Sequence, residues 1–383
     1  MHKARNYWCD CIRGYAILVV CLAHLFHVTP LHDHFTSLAL YLQGDAGVFM
    51  FYVLSGFLVT GILAREVNAT DSFPLRLKAI GHFFGRRVFR LQPGYLLFLG
   101  IYILLPRQNS ALSIGTLVLP ISNWFGGPYI TWHLKTLHIE EIYYLGIGVL
   151  SFIAARHLRQ LLWFLLIAAP LGRIAIFLAV RLGHYRAEWW LDTYMPVEAF
   201  AVGGILALQL DAVRNTRVCQ YCLRYPGISF ISALLGIVVV GAMRQCKPFS
   251  YAFVLTWPVV FAGLSAVMIL VGLERKRFLF APEWLRRIGL FSYSIYLFQQ
   301  LVLGPWDQTY QTVFSWWHWL ALLASVALGV PLWYKLAEMP LTNLGAKIFP
   351  RVSGWNKRGA TAEVPRSTET LLGVESPGLP SPQ

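Results

Sequence analysis

The sequence predicts an all-α, polytopic integral membrane protein with about ten transmembrane helices, and three observations carry that prediction. First, 57% of the 383 residues are hydrophobic and only 13% are charged, whereas soluble domains are about 45–50% apolar and about 25% charged. Second, ten stretches approach the length of about 20 apolar residues that crosses a hydrocarbon layer about 30 Å thick. Third, Lys and Arg alternate between the segments joining those stretches, as they do when successive loops face opposite sides of a membrane. A soluble two-domain enzyme of this length is thereby disfavoured.

The first expected span, 12–28, carries Cys21 and His24 and lacks a small-residue cleavage pattern after it, so it is expected to stay in the chain rather than be removed as a signal peptide. The second, 46–63, ends before Arg65. The third, 92–105, is short and follows an Arg-rich stretch read as a loop. Ala111 to Trp124 contains Pro120 and a polar end, and reads as a re-entrant or interfacial segment. The fourth and fifth spans lie at 137–154 and 161–180, with Arg173 inside the fifth. The remaining five lie at 195–210, 227–242, 251–272, 288–303 and 318–336. An even number of spans places both termini on one side. From about Ser353 the chain turns to Ser, Thr, Pro, Gly and Glu, which cannot bury enough surface to fold. The expected division is a membrane domain at 1–345 and a cytoplasmic tail at 346–383, disordered from about 353.

The net charge of +14 raises the question of a nucleic-acid partner, and the positions of the basic residues answer it. Of the 32 Lys and Arg, 25 fall in the termini and alternate loops, including the runs Arg76–Arg90 and Arg275–Arg287. Six lie on the other side: Arg107, Lys135, Arg181, Arg186, Arg244 and Lys247. The excess therefore records orientation, with both termini cytoplasmic in a cell (inner) membrane, and no nucleic acid is expected. Of the six cysteines, Cys9, Cys11, Cys219 and Cys222 fall on the expected cytoplasmic side, where thiols stay reduced. A CxC with a CxxC is a weak zinc signal, and free structural thiols with no metal are the expectation.

Ionisable residues inside spans are costly and mark candidate sites. Arg13 and His24 are eleven residues apart, which returns them to within about 20° of one helix face and sets them about 16 Å apart along the axis. The ordinary alternatives are a neutral His24 satisfied by a neighbouring helix and an Arg13 that only fixes topology. A second group is His133, Lys135, His138, Glu140, Glu141 and Tyr144 at the start of the fourth span, where adjacent carboxylates beside a His would shift one another's titration. Glu140 is also explained as a helix-start carboxylate or a partner of Lys135. A third group is Arg86, Arg87 and Arg90, whose guanidinium forks suit phosphate, anionic lipid heads or topology alike.

In chain order these segments resemble acyltransferase family 3, integral-membrane enzymes that mostly O-acylate extracytoplasmic glycans. The resemblance covers about residues 8 to 345. Asp10, Arg13, Gly14, Ala16 and His24 are similar to the family's first-span pattern, and Gly47, Val48, Phe51, Leu54, Ser55, Gly56 and Phe57 to its second. Arg86, Arg87, Arg90 and Pro93 resemble its basic loop, and Leu137, Glu140, Glu141 and Tyr144 its Trp-Ser-Leu-x-x-Glu-Glu segment. Ser292, Tyr293, Ser294, Tyr296 and Leu297 resemble a later pattern, as do Glu338 and Pro340. The sequence departs from the family at Phe49, where Asp is usual, at Lys135, where Trp is usual, and at Gln299, where a His often stands. Trp132 stands three residues before the position of the missing Trp.

The resemblance implies acyl transfer, with acetyl the expected group, from cytoplasmic acyl-CoA to a hydroxyl of an extracytoplasmic glycan or glycolipid. No bound cofactor is expected, acetyl-CoA being a donor substrate. Arg86, Arg87 and Arg90, with Arg13, would hold the CoA phosphates. His24 would act as general base or transient acyl carrier, Glu140 or Glu141 would orient the His or the acceptor, and Tyr144 and Ser292 would supply hydrogen bonds. The partners are then acyl-CoA, the glycan or glycolipid acceptor and membrane lipids. A transporter of a glycan precursor or organic anion is the competing class, which inverted halves of the sequence would favour; none is visible. A lipid-binding scaffold explains the basic stretch and leaves His24 and Glu140 without a role.

Overall fold

The computed structural model describes residues 6–28, 44–68, 72–104, 132–182, 197–243, 250–273, 278–307 and 324–351. Nearly all of these residues are helical, and no strand occurs among them. Lipid offers the backbone no hydrogen-bond partner, so an apolar segment of this length satisfies its own N–H and C=O groups by coiling. The protein is an all-α membrane protein, and each of the ten apolar stretches contains helix.

The elements are α1 (Tyr7–Val28), α2 (Gly44–Asn68), α3 (Phe73–Leu104), α4 (Trp132–Ile153), α5 (Leu158–Arg181) and α6 (Val197–Leu208). Two short helices follow, α7 (Leu210–Arg214) and α8 (Arg217–Arg224), then α9 (Pro226–Met243), α10 (Ser250–Leu273), α11 (Glu283–Leu290) and α12 (Ser292–Asp307). Near the end, π-helix over Ser325–Gly329, one α turn over Val330–Trp333 and π-helix over Tyr334–Glu338 lead into α13 (Met339–Ile348). Among the described residues four helices are long and apolar enough to cross a membrane, namely α2, α5, α9 and α10. The stretch Ala111–Trp124, Cys246 and the tail from Ser353 lie outside the described residues.

Helix α2 is the centre of the bundle: 72% of its span is buried, against 17% of the α5 span and 28% of α9. It packs on α1, α3, α4, α6 and α10. The contact with α6 is a backbone approach. A methyl group at Gly203 would run into the Val53 carbonyl, and one at Gly56 into the Phe200 carbonyl, so each glycine makes room for the other helix, as small residues do where membrane helices pack closely. By contrast, α5 and α9 turn Phe164, Ile167, Leu171, Ile228, Leu235 and Val239 outward, a surface suited to acyl chains.

Helix α3 corrects the sequence reading. The Arg-rich stretch is helix, not loop, because the 32-residue α3 runs from Phe73 through Arg86, Arg87 and Arg90 and past Pro93 to Leu104. Pro93 lacks an N–H and removes one bond of the ladder, and the Tyr293 hydroxyl donates to the Leu91 carbonyl nearby.

At the end of the bundle where α1 begins, Trp8 Nε1 donates to the Met268 and Ile269 carbonyls at 3.1 and 2.9 Å, and Tyr15 donates to Phe280 O at 2.8 Å. On α11, the hydrogen bonds from Arg286, at 2.6 and 2.8 Å, hold the exposed Glu283 carboxyl down at about 2. The five described cysteines are free thiols, and no group of three or more His, Cys, Asp or Glu among the described residues is arranged to hold a metal ion. Inside the bundle, Arg173 of α5 pairs with Glu198 in the first turn of α6, both fully buried. Arg173 Nε and Nη1 and Glu198 Oε2 have no further hydrogen-bond partner.

Candidate active site

The site grows from one face of α4. Residues four apart on a helix stand one above the other, so the Tyr144 hydroxyl reaches back and donates to Glu140 Oε1. From α2, Ser55 Oγ donates to the same oxygen. The Arg87 guanidinium of α3 lies over the Tyr144 ring, 4.8 Å from its centroid, and also over Phe83 at 5.4 Å. Three helices thus converge on one carboxylate, with a cation stacked on the phenol that holds it. Beneath it Tyr143 stacks on Phe200 at 4.1 Å and its hydroxyl lies 2.7 Å from Thr60 Oγ1, which ties α4 to α2 and α6.

The two adjacent carboxylates do not share a site. Successive helical residues point about 100° apart, and Glu141 turns to α3, where it accepts from Gln92 Nε2 at 2.9 Å. His138, read from sequence as a neighbour of the carboxylates, is buried and meets the Tyr95 hydroxyl at 2.9 Å. The contacts Arg87 with Tyr144, Gln92 with Glu141 and Tyr95 with His138 climb α3 while descending α4, so the two helices run antiparallel. The side chains of His133 and Lys135 lie outside the described residues.

The same angular logic splits the arginines. While Arg87 faces Tyr144, Arg86 turns away to hold both Glu66 oxygens at 2.8 Å and donates to Phe349 O at 3.1 Å. Arg351 lies 3.7 Å from the same Glu66, and His82 Nδ1 lies 2.6 Å from Pro350 O. Arg86 therefore fastens the end of α13 to α2 and α3. Arg90 is half-buried one turn beyond Arg86.

On α1, Arg13 pairs with Asp10 at 3.0 Å, one turn back on its own helix. His24, eleven residues on, stands against the first residue of α2: a methyl at Gly44 would lie 3.8 Å from its Cδ2 and 3.9 Å from its Nε2. One turn before His24, Cys21 Sγ donates to Gln299 Oε1 of α12 at 3.1 Å. Ser292 is buried at the first residue of α12, and no hydrogen bond joins it to the Glu140 network. The structure thus brings Glu140, Tyr144 and Arg87 together and sets Glu141, Arg86, Arg13 and Ser292 in other surroundings.

Sequence reasoning missed Ser55, Gln92 and Glu66 as partners of the charged residues. Their signal was present, since each is a polar residue within or at the end of an apolar stretch, but a single Ser among glycines reads as a packing residue. It also left Glu338 without a role; Ser294 Oγ donates to its Oε2 at 2.5 Å where the second π-helical stretch ends. Phe49, at the position where Asp is usual in the resembling family, packs 5.0 Å from Trp257 and 6.0 Å from Tyr52, so an aromatic cluster fills that part of the core.

A family model described as an acyltransferase domain matches residues 6–335. The chain belongs to acyltransferase family 3. No curated protein and no solved structure matches it. As a membrane acyltransferase it carries the matched region from the start of α1 into the second π-helical stretch, so the Glu140 network, His24 and Gln299 all lie within the acyltransferase domain.

Proposed function

We propose that this acyltransferase moves an acetyl group from cytoplasmic acetyl-CoA to a hydroxyl of an extracytoplasmic glycan or glycolipid, as a multi-pass protein of the cell (inner) membrane with both termini cytoplasmic. The observation that carries the reading is the Glu140 network: a carboxylate inside the bundle, held by Ser55 and Tyr144, with the Arg87 cation stacked on Tyr144. By rise alone, Arg87 is about 21 Å along α3 from Phe73, and His24 about 6 Å from the far end of α1. Along α2, Ser55 of the network that includes Arg87 and Gly44 beside His24 are eleven residues, about 16 Å, apart, so the cation for a phosphorylated donor and the imidazole for a hydroxyl acceptor are offset along the bundle.

In this reading Arg87 and Arg90 bind the CoA phosphates through paired donors, while Arg86 braces the wall behind them. His24 takes the proton of the acceptor hydroxyl as its oxygen attacks the thioester carbonyl, because imidazole titrates near working pH. The C–S bond breaks and the imidazolium returns the proton to the CoA thiolate. Glu140, about 16 Å along α2 from the imidazole, orients bound substrate rather than His24.

The test is purified protein in lipid vesicles with acetyl-labelled CoA and extracted envelope glycans. Wild type is expected to release CoA in proportion to label gained by the glycan. His24→Ala is expected to lose about 10²- to 10⁴-fold in rate, the usual worth of a general base. Label transfer at the wild-type rate by His24→Ala sinks the assignment, and movement of a glycan precursor across the vesicle without thioester cleavage favours a transporter.

A further inference from the structure

We propose that Gln299 is a catalytic residue of the acyl-transfer site, its carboxamide Nε2 donating a hydrogen bond to the acyl carbonyl oxygen as that oxygen becomes negative. The inference rests on the acyl-transfer reading above and adds a group that it leaves unused.

Three observations place it. Gln299 is 2% exposed, yet Nε2 has no hydrogen-bond partner. A buried, unpaired amide costs about 1–3 kcal/mol, a cost that an apolar side chain of the same shape would not carry. The other end of the carboxamide is fixed, because Oε1 accepts from the Cys21 thiol at 3.1 Å; the donor is thus held in one direction before any ligand arrives. Cys21 and His24 are three residues apart on α1 and share a face. Tyr296, one turn before Gln299 on α12, packs with Ile17 and Val20 of α1, so the two helices are in register along this face. The unpaired donor stands about one helical turn from the imidazole proposed as base.

That pairing suits thioester chemistry. When the acceptor oxygen attacks, the new C–O bond forms and the carbonyl π pair moves onto oxygen. A fixed N–H aimed at that oxygen stabilises the tetrahedral intermediate without reorganisation. On collapse the pair returns, the C–S bond breaks, and the CoA thiolate takes the proton that His24 holds. A donor of this kind is worth about 10²- to 10³-fold in kcat. Glutamine meets the requirement because it donates without titrating.

The experiment uses the full chain in vesicles, with acetyl-labelled CoA as donor and the envelope glycan extract as acceptor. Gln299→Met keeps the shape and removes the donor. It is expected to lower kcat about 10²- to 10³-fold, to change KM for acetyl-CoA less than about threefold, and to leave Tm unchanged or higher because an unpaired polar group is gone. Gln299→Glu, which keeps the length and loses the N–H when ionised, is expected to lose kcat similarly. Gln299→His restores a donor and is expected to recover at least about a tenth of the wild-type rate. Cys21→Ser, which keeps a hydroxyl on Oε1, is expected to stay closer to wild type than Cys21→Ala. Wild-type kcat in both Gln299→Met and Gln299→Glu, with folded protein, overturns the inference alone. A wild-type protein that transfers no label to the glycan overturns the acyl-transfer reading and this inference with it.

Discussion

At the scale of the residue, Tyr144 does two jobs that substitution can separate. Its hydroxyl holds Glu140 and its ring lies under Arg87. Tyr144→Phe keeps the ring and removes the bond to the carboxylate. A hydrogen bond to a charged group is worth about 1.5–3 kcal/mol, so kcat in the label-transfer assay is expected to fall roughly ten- to a hundred-fold. Tyr144→Leu also removes the ring and is expected to weaken acetyl-CoA binding further by loss of the cation–π contact. Glu140 was legible in the sequence as a charge at the start of an apolar stretch, with Tyr144 one turn on, and Arg87 as a member of an Arg cluster. Their geometry was not. Glu140 and Glu141 are neighbours in the chain, and nothing in their spacing says that one turns to Ser55 and the other to Gln92; that depends on which helices flank α4, which is a tertiary fact.

Among the elements, the ten apolar stretches were legible because hydrophobic length is written directly in the residues. Among the described residues the expected span 288–303 is split at Phe291 between α11 and α12, and α3 was misread because five basic residues followed by Pro93 look like a loop and an edge. The helix persists because a proline removes a single bond of the ladder, while Arg86 and Arg87 find Glu66 and Tyr144 on separate sides of it. Close packing was not legible either: Gly203 is one of 31 glycines, and only the structure shows that the Val53 carbonyl lies against it. Gly203→Ala is expected to destabilise by about 1–3 kcal/mol through overpacking, read as a lowered Tm in detergent. Gly146→Ala, at an α4 position with nothing within 4 Å, is the control and is expected to be neutral or stabilising by about 0.5–1 kcal/mol.

Over the whole molecule, the end of α13 is held to α2 and α3 across more than 260 residues of sequence, through Arg86 and Phe349 O and through His82 and Pro350 O. Arg86→Ala is expected to release this segment. It leaves Glu66 with Arg351 at 3.7 Å as its remaining ion-pair partner, and it should speed trypsin cleavage after Lys347 and Arg351 several-fold in intact vesicles. Because Arg86 is partly exposed and the buried Glu66 keeps Arg351 nearby, the stability cost is expected to be modest, about 1–2 kcal/mol. The buried pair of Arg173 and Glu198 has a consequence for how the chain enters the bilayer. An arginine near the middle of a lone helix opposes insertion by about 2.5–3.5 kcal/mol, so α5 gains from waiting at the translocon until α6 emerges with its carboxylate. The two helices would then leave for lipid as a neutralised hairpin, with assembly of this half of the bundle beginning before synthesis of the rest is complete.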